Sequence, residues 1–177
     1  MASMPGLPAY LQNKAEAMVA AASRYRSGDA ARETIAAECS AADLTGARRI
    51  RIRDFQLLSD SGPAFGGFGL GPSSPELLLG VLASCLTHMY LIGAATRGIA
   101  LDSVNVRMEA ENNDAALLGL ATADPPMPFN IRAFVRVDST APEADIAALH
   151  AYVEEACPLT KIIREPNAVT VSTNSQP

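Results

Sequence analysis

The chain has 177 residues, 49% of them apolar and 19% charged, with a formal net charge of −5, which is enough for one domain with a sizeable core. The acidic balance leaves no basic face for phosphates, so nucleic acid is excluded as an expected partner. Three cysteines are too few for a disulfide scaffold and no basic, apolar leader opens the chain, so a reducing cytoplasm is the expected compartment.

In chain order, Ala9 to Tyr25 places Leu11, Ala15, Met18, Val19, Ala22 and Tyr25 at helical spacing and ends near Gly28. This reads as a helical appendage over residues 1–30. Thr34 to Leu44 and Arg48 to Leu58 flank a Thr45-Gly46 turn and read as a β-hairpin. In its second strand Arg49, Arg51 and Arg53 share one face, while Arg48 has the parity of Ile50 and Ile52 and is the arginine expected to point inward. Ser59 to Ser74 is crowded with glycine and proline and reads as a flexible connection. A phosphate cradle is disfavoured there, because Pro72 and Ser73 separate the glycines from the following helix.

Ser73 to Gly98 carries cap residues at its start and Arg-Gly at its end, and its leucines cover every side, so a buried helix is predicted. The run Leu77 to Ala95 is long enough to span hydrocarbon. His88 at its centre and the alternating strands downstream, which need a covering helix, favour a core helix and no membrane. Asp102 to Glu111 and Phe129 to Asp138 alternate as strands, with Asn112 to Pro128 between them. Pro142 to Ala156 presents Ile146, Leu149, Val153 and Ala156 on one face, a second core helix ending at Cys157-Pro158. Ala168 to Ser172 is predicted as a final strand. The alternation of strands and helices gives an α+β class with antiparallel sheet and two core helices.

Cys85 in the middle of one apolar helix and Cys157 at the end of another suggest a thiol redox centre. A small buried hydrophobe is the other reading of Cys85. Cys39, without a companion motif, reads as structural. His88 and His150 with scattered cysteines make no ligand spacing, so no metal or other cofactor is expected.

The run Gly71-Pro-Ser-Ser-Pro-Glu-Leu-Leu-Leu-Gly-Val-Leu-Ala-Ser-Cys85 and the run Cys157-Pro-Leu-Thr resemble those of the OsmC/Ohr proteins. Also similar are Leu58-Ser-Asp60, the glycine-rich loop after it, and Gly98-Ile-Ala-Leu-Asp-Ser-Val-Asn-Val106. The likeness covers residues 33 to 172 and implies an OsmC-like domain over 31–177. It further implies an intertwined homodimer with central cysteine helices, active sites at the dimer interface, and thiol-dependent reduction of organic hydroperoxides by a thiol reductant.

On that resemblance Cys85 attacks the O–O bond and Cys157 resolves the resulting sulfenic acid as a disulfide. Burial raises a thiol and Cys85 is far from its helix N-terminus, so a nearby cation is required. Arg97, twelve residues beyond Cys85, is about 18 Å away along the axis and does not serve. Arg48 or Arg49 is the expected cation, with Glu76 in the family's arginine-holding role. The family's position before the first hairpin turn holds Asp43-Leu44 here, and the loop after the hairpin contains no arginine. His88, three residues after Cys85, reads first as a core histidine hydrogen-bonded across the interface, and otherwise as a residue that tunes the thiol or contacts substrate. The alternative is a redox-silent OsmC-like dimer that binds a small apolar ligand at the subunit interface.

Overall fold

The structure is a computed structural model that describes residues 6–30, 32–41 and 45–173. Helix α1 spans Leu7–Ser27, strands β1 to β3 span Glu38–Ala41, Arg48–Ile52 and Phe55–Ser59, and helix α2 spans Ser74–Arg97. Strands β4, Ser103–Glu111, and β5, Phe129–Asp138, are followed by helices α3, Glu143–Ala156, and α4, Pro158–Arg164. Two antiparallel sheets result, β1-β2-β3 and β4-β5.

Helix α2 starts where its residues dictate. Ser73 and Glu76 form a reciprocal capping box and Gly98 closes the C-terminus at φ 66°, a conformation that favours glycine. The second half of the helix is buried through Leu82, Leu86, Met89, Tyr90, Gly93 and Ala94. Against this half pack β4, α1 and α3, so the helix that is long and apolar enough to cross a membrane is the core helix of an α+β fold. Val104, Val106, Val135 and Val137 of the β4-β5 sheet, with Leu149 and Val153 of α3 and Leu11 of α1, complete the core.

Three elements differ from the sequence reading. Arg48 to Leu58 is two strands, because Arg53 takes φ 55° and turns the chain so that Ile52 pairs with Phe55. No glycine marks that turn, which hides it in a run of β-formers. Cys157-Pro158 ends α3 but also opens α4, with the proline in the first turn, where its missing N–H costs nothing. Ala168 to Ser172 has no strand partner among the described residues, and Val169 and Val171 are 85% and 84% exposed. An isolated β-pattern of this length becomes a strand only when another edge supplies its hydrogen bonds. The end of the first predicted strand, residues 42–44, lies outside the described residues.

The glycine-rich segment is held rather than loose. Asp60, 1% exposed, accepts hydrogen bonds from the backbone N–H groups of Ser61 at 2.8 Å, Phe68 at 3.0 Å and Leu70 at 3.2 Å. Gly67 backs onto the carbonyl of Ser61 so closely that any Cβ would collide with it. The segment therefore folds back on β3 and delivers the chain to α2.

Candidate active site: a helix-borne thiol pair

Cys85, midway along α2, and Cys157, at the junction of α3 and α4, come together with their sulfurs 3.6 Å apart in a shared hydrogen bond. Both are free thiols, and the separation lies well outside the S–S bond length of ~2.05 Å. Cys157 is fully buried and Cys85 is half-buried. Access from outside is therefore to Cys85.

The two thiols are pushed in opposite directions. Burial raises Cys85 most, the Leu159 N–H pulls it back down, and Cys157 raises it through their hydrogen bond and through charge, with the net direction upward. Burial also works against a Cys157 thiolate. It is outweighed by the Thr160 hydroxyl and N–H, the Cys85 thiol and the Leu159 N–H, and the net direction is downward. Cys157 is the N-cap residue of α4, where a side-chain acceptor meets the second and third N–H groups of a helix. The larger sulfur sits near those groups without the short capping bond of an oxygen. The surroundings thus favour ionisation of Cys157 over ionisation of Cys85.

The other expected site residues fall into two places. Arg48 points inward, half-buried, and donates to Ser59 Oγ at 3.0 Å. Glu76 accepts from the Ser73 N–H and hydroxyl, both at 2.7 Å, bonds that hold its carboxyl below the usual range. Arg48 and Glu76 line one cavity of about 510 Å³ with Ser73, Phe65 and Leu79, and Cys85 is not in its wall. Along α2, Glu76 lies roughly 13 Å from Cys85 by helical rise. Arg49 is exposed on the opposite face of β2, paired across strands with Ser40 and Leu58. Among the described residues no cation acts on Cys85.

His88 lies one turn beyond Cys85, with Lys14 Nζ of α1 at 3.0 Å from its Nε2. Cys39 sits in β1 opposite Ile50. Leu159 and Thr160 were not anticipated as site residues. The signal was there, since Cys-Pro-x-Thr can be read as N-cap, first-turn proline and helix start.

A dithiol carried on two core helices of an antiparallel α+β fold defines the class. The OsmC family, described as OsmC-like protein, matches residues 67–172, and the chain belongs to that family. Among solved structures, an OsmC-like protein from Mycoplasma pneumoniae is 15% identical with a TM-score of 0.64, over 76% of this chain and 89% of that one. An organic hydroperoxide resistance protein OsmC from Legionella pneumophila is 20% identical with a TM-score of 0.54, over 76% and 92%. At these identities the likeness is one of fold. No curated protein matches the sequence.

Proposed function

We propose that this protein is a thiol-dependent peroxidase of organic hydroperoxides, a cytoplasmic homodimer that uses Cys85 and Cys157 and is recycled by a thiol reductant. The single observation that carries this reading is the 3.6 Å approach of two free sulfurs from different helices, one accessible and one buried. The name of the Legionella relative, an organic hydroperoxide resistance protein, points the same way.

In this reading the Cys157 thiolate takes the Cys85 proton across their shared hydrogen bond. The Cys85 thiolate then attacks the terminal oxygen of the hydroperoxide, the O–O bond breaks, and Cys85 becomes a sulfenic acid while the alkyl-bearing oxygen leaves as an alkoxide that takes up a proton to give the alcohol. The Cys157 thiol condenses with the sulfenic acid, forming the disulfide and releasing water. Thiol–disulfide exchange with the reductant restores the pair. No cation among the described residues acts on Cys85, so in this reading a cation from the second subunit stabilises its thiolate.

Reduced protein treated with one equivalent of an organic hydroperoxide is expected to show a Cys85–Cys157 disulfide by mass spectrometry. In Cys157→Ser the product is expected to be Cys85 sulfenic acid. Thiols that stay inert over minutes would overturn the peroxidase reading and favour the ligand-binding alternative. A specific observation supports that second reading: a cavity of about 430 Å³ lined by Leu82, Leu86, Tyr90, Val135, Val153 and Ile163, whose apolar ligand would raise the melting temperature.

A further inference from the structure

Cleaving an alkyl hydroperoxide needs more than a nucleophile. The departing alkoxide is a far stronger base than water and must receive a proton as the O–O bond breaks. Nothing in the thiol pair supplies it, since the proton displaced from Cys85 has gone to buried Cys157.

The contact between α1 and α2 offers a donor. An ammonium has hydrogens to give and no lone pair to accept with, so the 3.0 Å contact from Lys14 Nζ fixes Nε2 of His88 as an acceptor. Burial and the Lys14 charge both lower His88, and the neutral ring therefore carries its hydrogen on Nδ1. That N–H makes no bond to any of the described residues. Side chains on a helix lean toward its N-terminus and cover the turn three to four residues back, which for His88 is the turn of Ser84 and Cys85. The Tyr10 ring, 5.7 Å from Lys14 Nζ, helps to keep the lysine in place, and Leu11, 5% exposed, anchors α1 in the core beside it.

We propose that His88 is the general acid of peroxide cleavage, giving its Nδ1 proton to the alkoxide that leaves Cys85, while Lys14 resupplies that proton through Nε2. The sulfur lone pair forms the S–O bond and the O–O electron pair goes to the alkyl-bearing oxygen. That oxygen takes the Nδ1 proton as Nε2 takes one from the ammonium, and the ring is reset when Nε2 returns that proton to the amine and Nδ1 takes one from water. His88 is catalytic in this scheme and Lys14 is a positioning residue that acts through it. The helix preceding the matched family region thereby gains a role in the chemistry, one that rests on the peroxidase reading above.

The test compares two oxidants on the full-length reduced protein. The carboxylate leaving group of peracetic acid needs no proton, whereas the alkoxide of tert-butyl hydroperoxide does. Lys14→Met and His88→Phe are expected to slow thiol loss with tert-butyl hydroperoxide by about 10²-fold, the low end for general acid catalysis, and to leave the peracetic acid rate unchanged. Lys14→Arg keeps the hydrogen bond but holds its proton more tightly, so it should recover only part of the lost rate. Equal slowing with both oxidants would mean a structural contact and overturn the proposal, as would no slowing with either. If wild-type Cys85 itself ignores tert-butyl hydroperoxide, the peroxidase reading falls and this inference with it.

Discussion

At the scale of single residues, charge is placed where backbone N–H groups converge, and Asp60 is the clearest case. Three such groups, from Leu70, Phe68 and Ser61, lower its carboxyl against the opposing effect of burial, with Arg48 adding to the downward pull. A carboxylate whose folded pKa lies below its unfolded value stabilises the fold above the ordinary carboxylate range, and that contribution is lost as pH falls through the lower folded value. Asp60→Asn replaces one acceptor oxygen by an NH2 that opposes an N–H. The expected outcome at neutral pH is faster amide exchange at Phe68 and Leu70, with a flatter dependence of stability on pH below about 4. Unchanged protection of both amides would show that the loop is held by its glycine contacts instead. Cys157 follows the same logic with sulfur in place of oxygen, its thiolate supported by Thr160 and Leu159.

At the scale of elements, the site depends on how closely α2 and α3 approach. Gly93 makes that approach possible: a Cβ there would lie 2.6 Å from Leu149 Cδ1 and 2.9 Å from the Tyr152 ring. Leu149 has no exposed surface into which to retreat, and Tyr152 is covered by Arg97, 3.8 Å from its ring centre. Gly93→Ala gains roughly 0.5–1 kcal/mol of helix propensity, but overpacking costs about 1–3 kcal/mol, so net destabilisation is expected, visible as a lower denaturant midpoint. Because α3 carries Cys157, slower disulfide closure should accompany it, and a variant as stable and as fast as wild type would remove Gly93 from this role. The principal helices, the β4-β5 pair and the two cysteines were legible in the sequence because apolar periodicity and cap residues are local signals. The Arg53 turn was not, since a left-handed arginine has no sequence mark; the joining of Cys85 to Cys157 was expected from their contexts and from the family resemblance, although the packing between distant elements that achieves it has no local mark. Asp60 was quoted only as part of a run; its burial and its three bonds arise from loop closure, which no local pattern encodes.

On the scale of the whole molecule, the apolar face of the β1-β2-β3 sheet is left largely uncovered by the described residues. Register places Cys39, Ile50 and Leu57 side by side, with Ile52 beside Phe55, on the face that also carries Arg48. Phe55, Leu57 and Ile52 are 62%, 46% and 38% exposed, and the unpaired valines of the C-terminal segment are exposed still further. The sheet makes its principal contacts only within itself, whereas a sheet with one apolar face must bury that face against another layer. A second copy of the chain would supply a layer of matching character and, in the reading proposed above, the cation for Cys85. Sedimentation equilibrium at micromolar concentration is therefore expected to give a dimer, in which Cys39 reacts slowly with a thiol reagent although it is exposed in the single chain. Leu57→Glu places a charge in the middle of that face and is expected to yield a monomer whose Cys39 reacts rapidly and whose Cys85 has lost its cation. A wild-type protein that sediments as a monomer with a fast-reacting Cys39 would leave the sheet face open to solvent, and the cation at Cys85 would then have to come from within the chain.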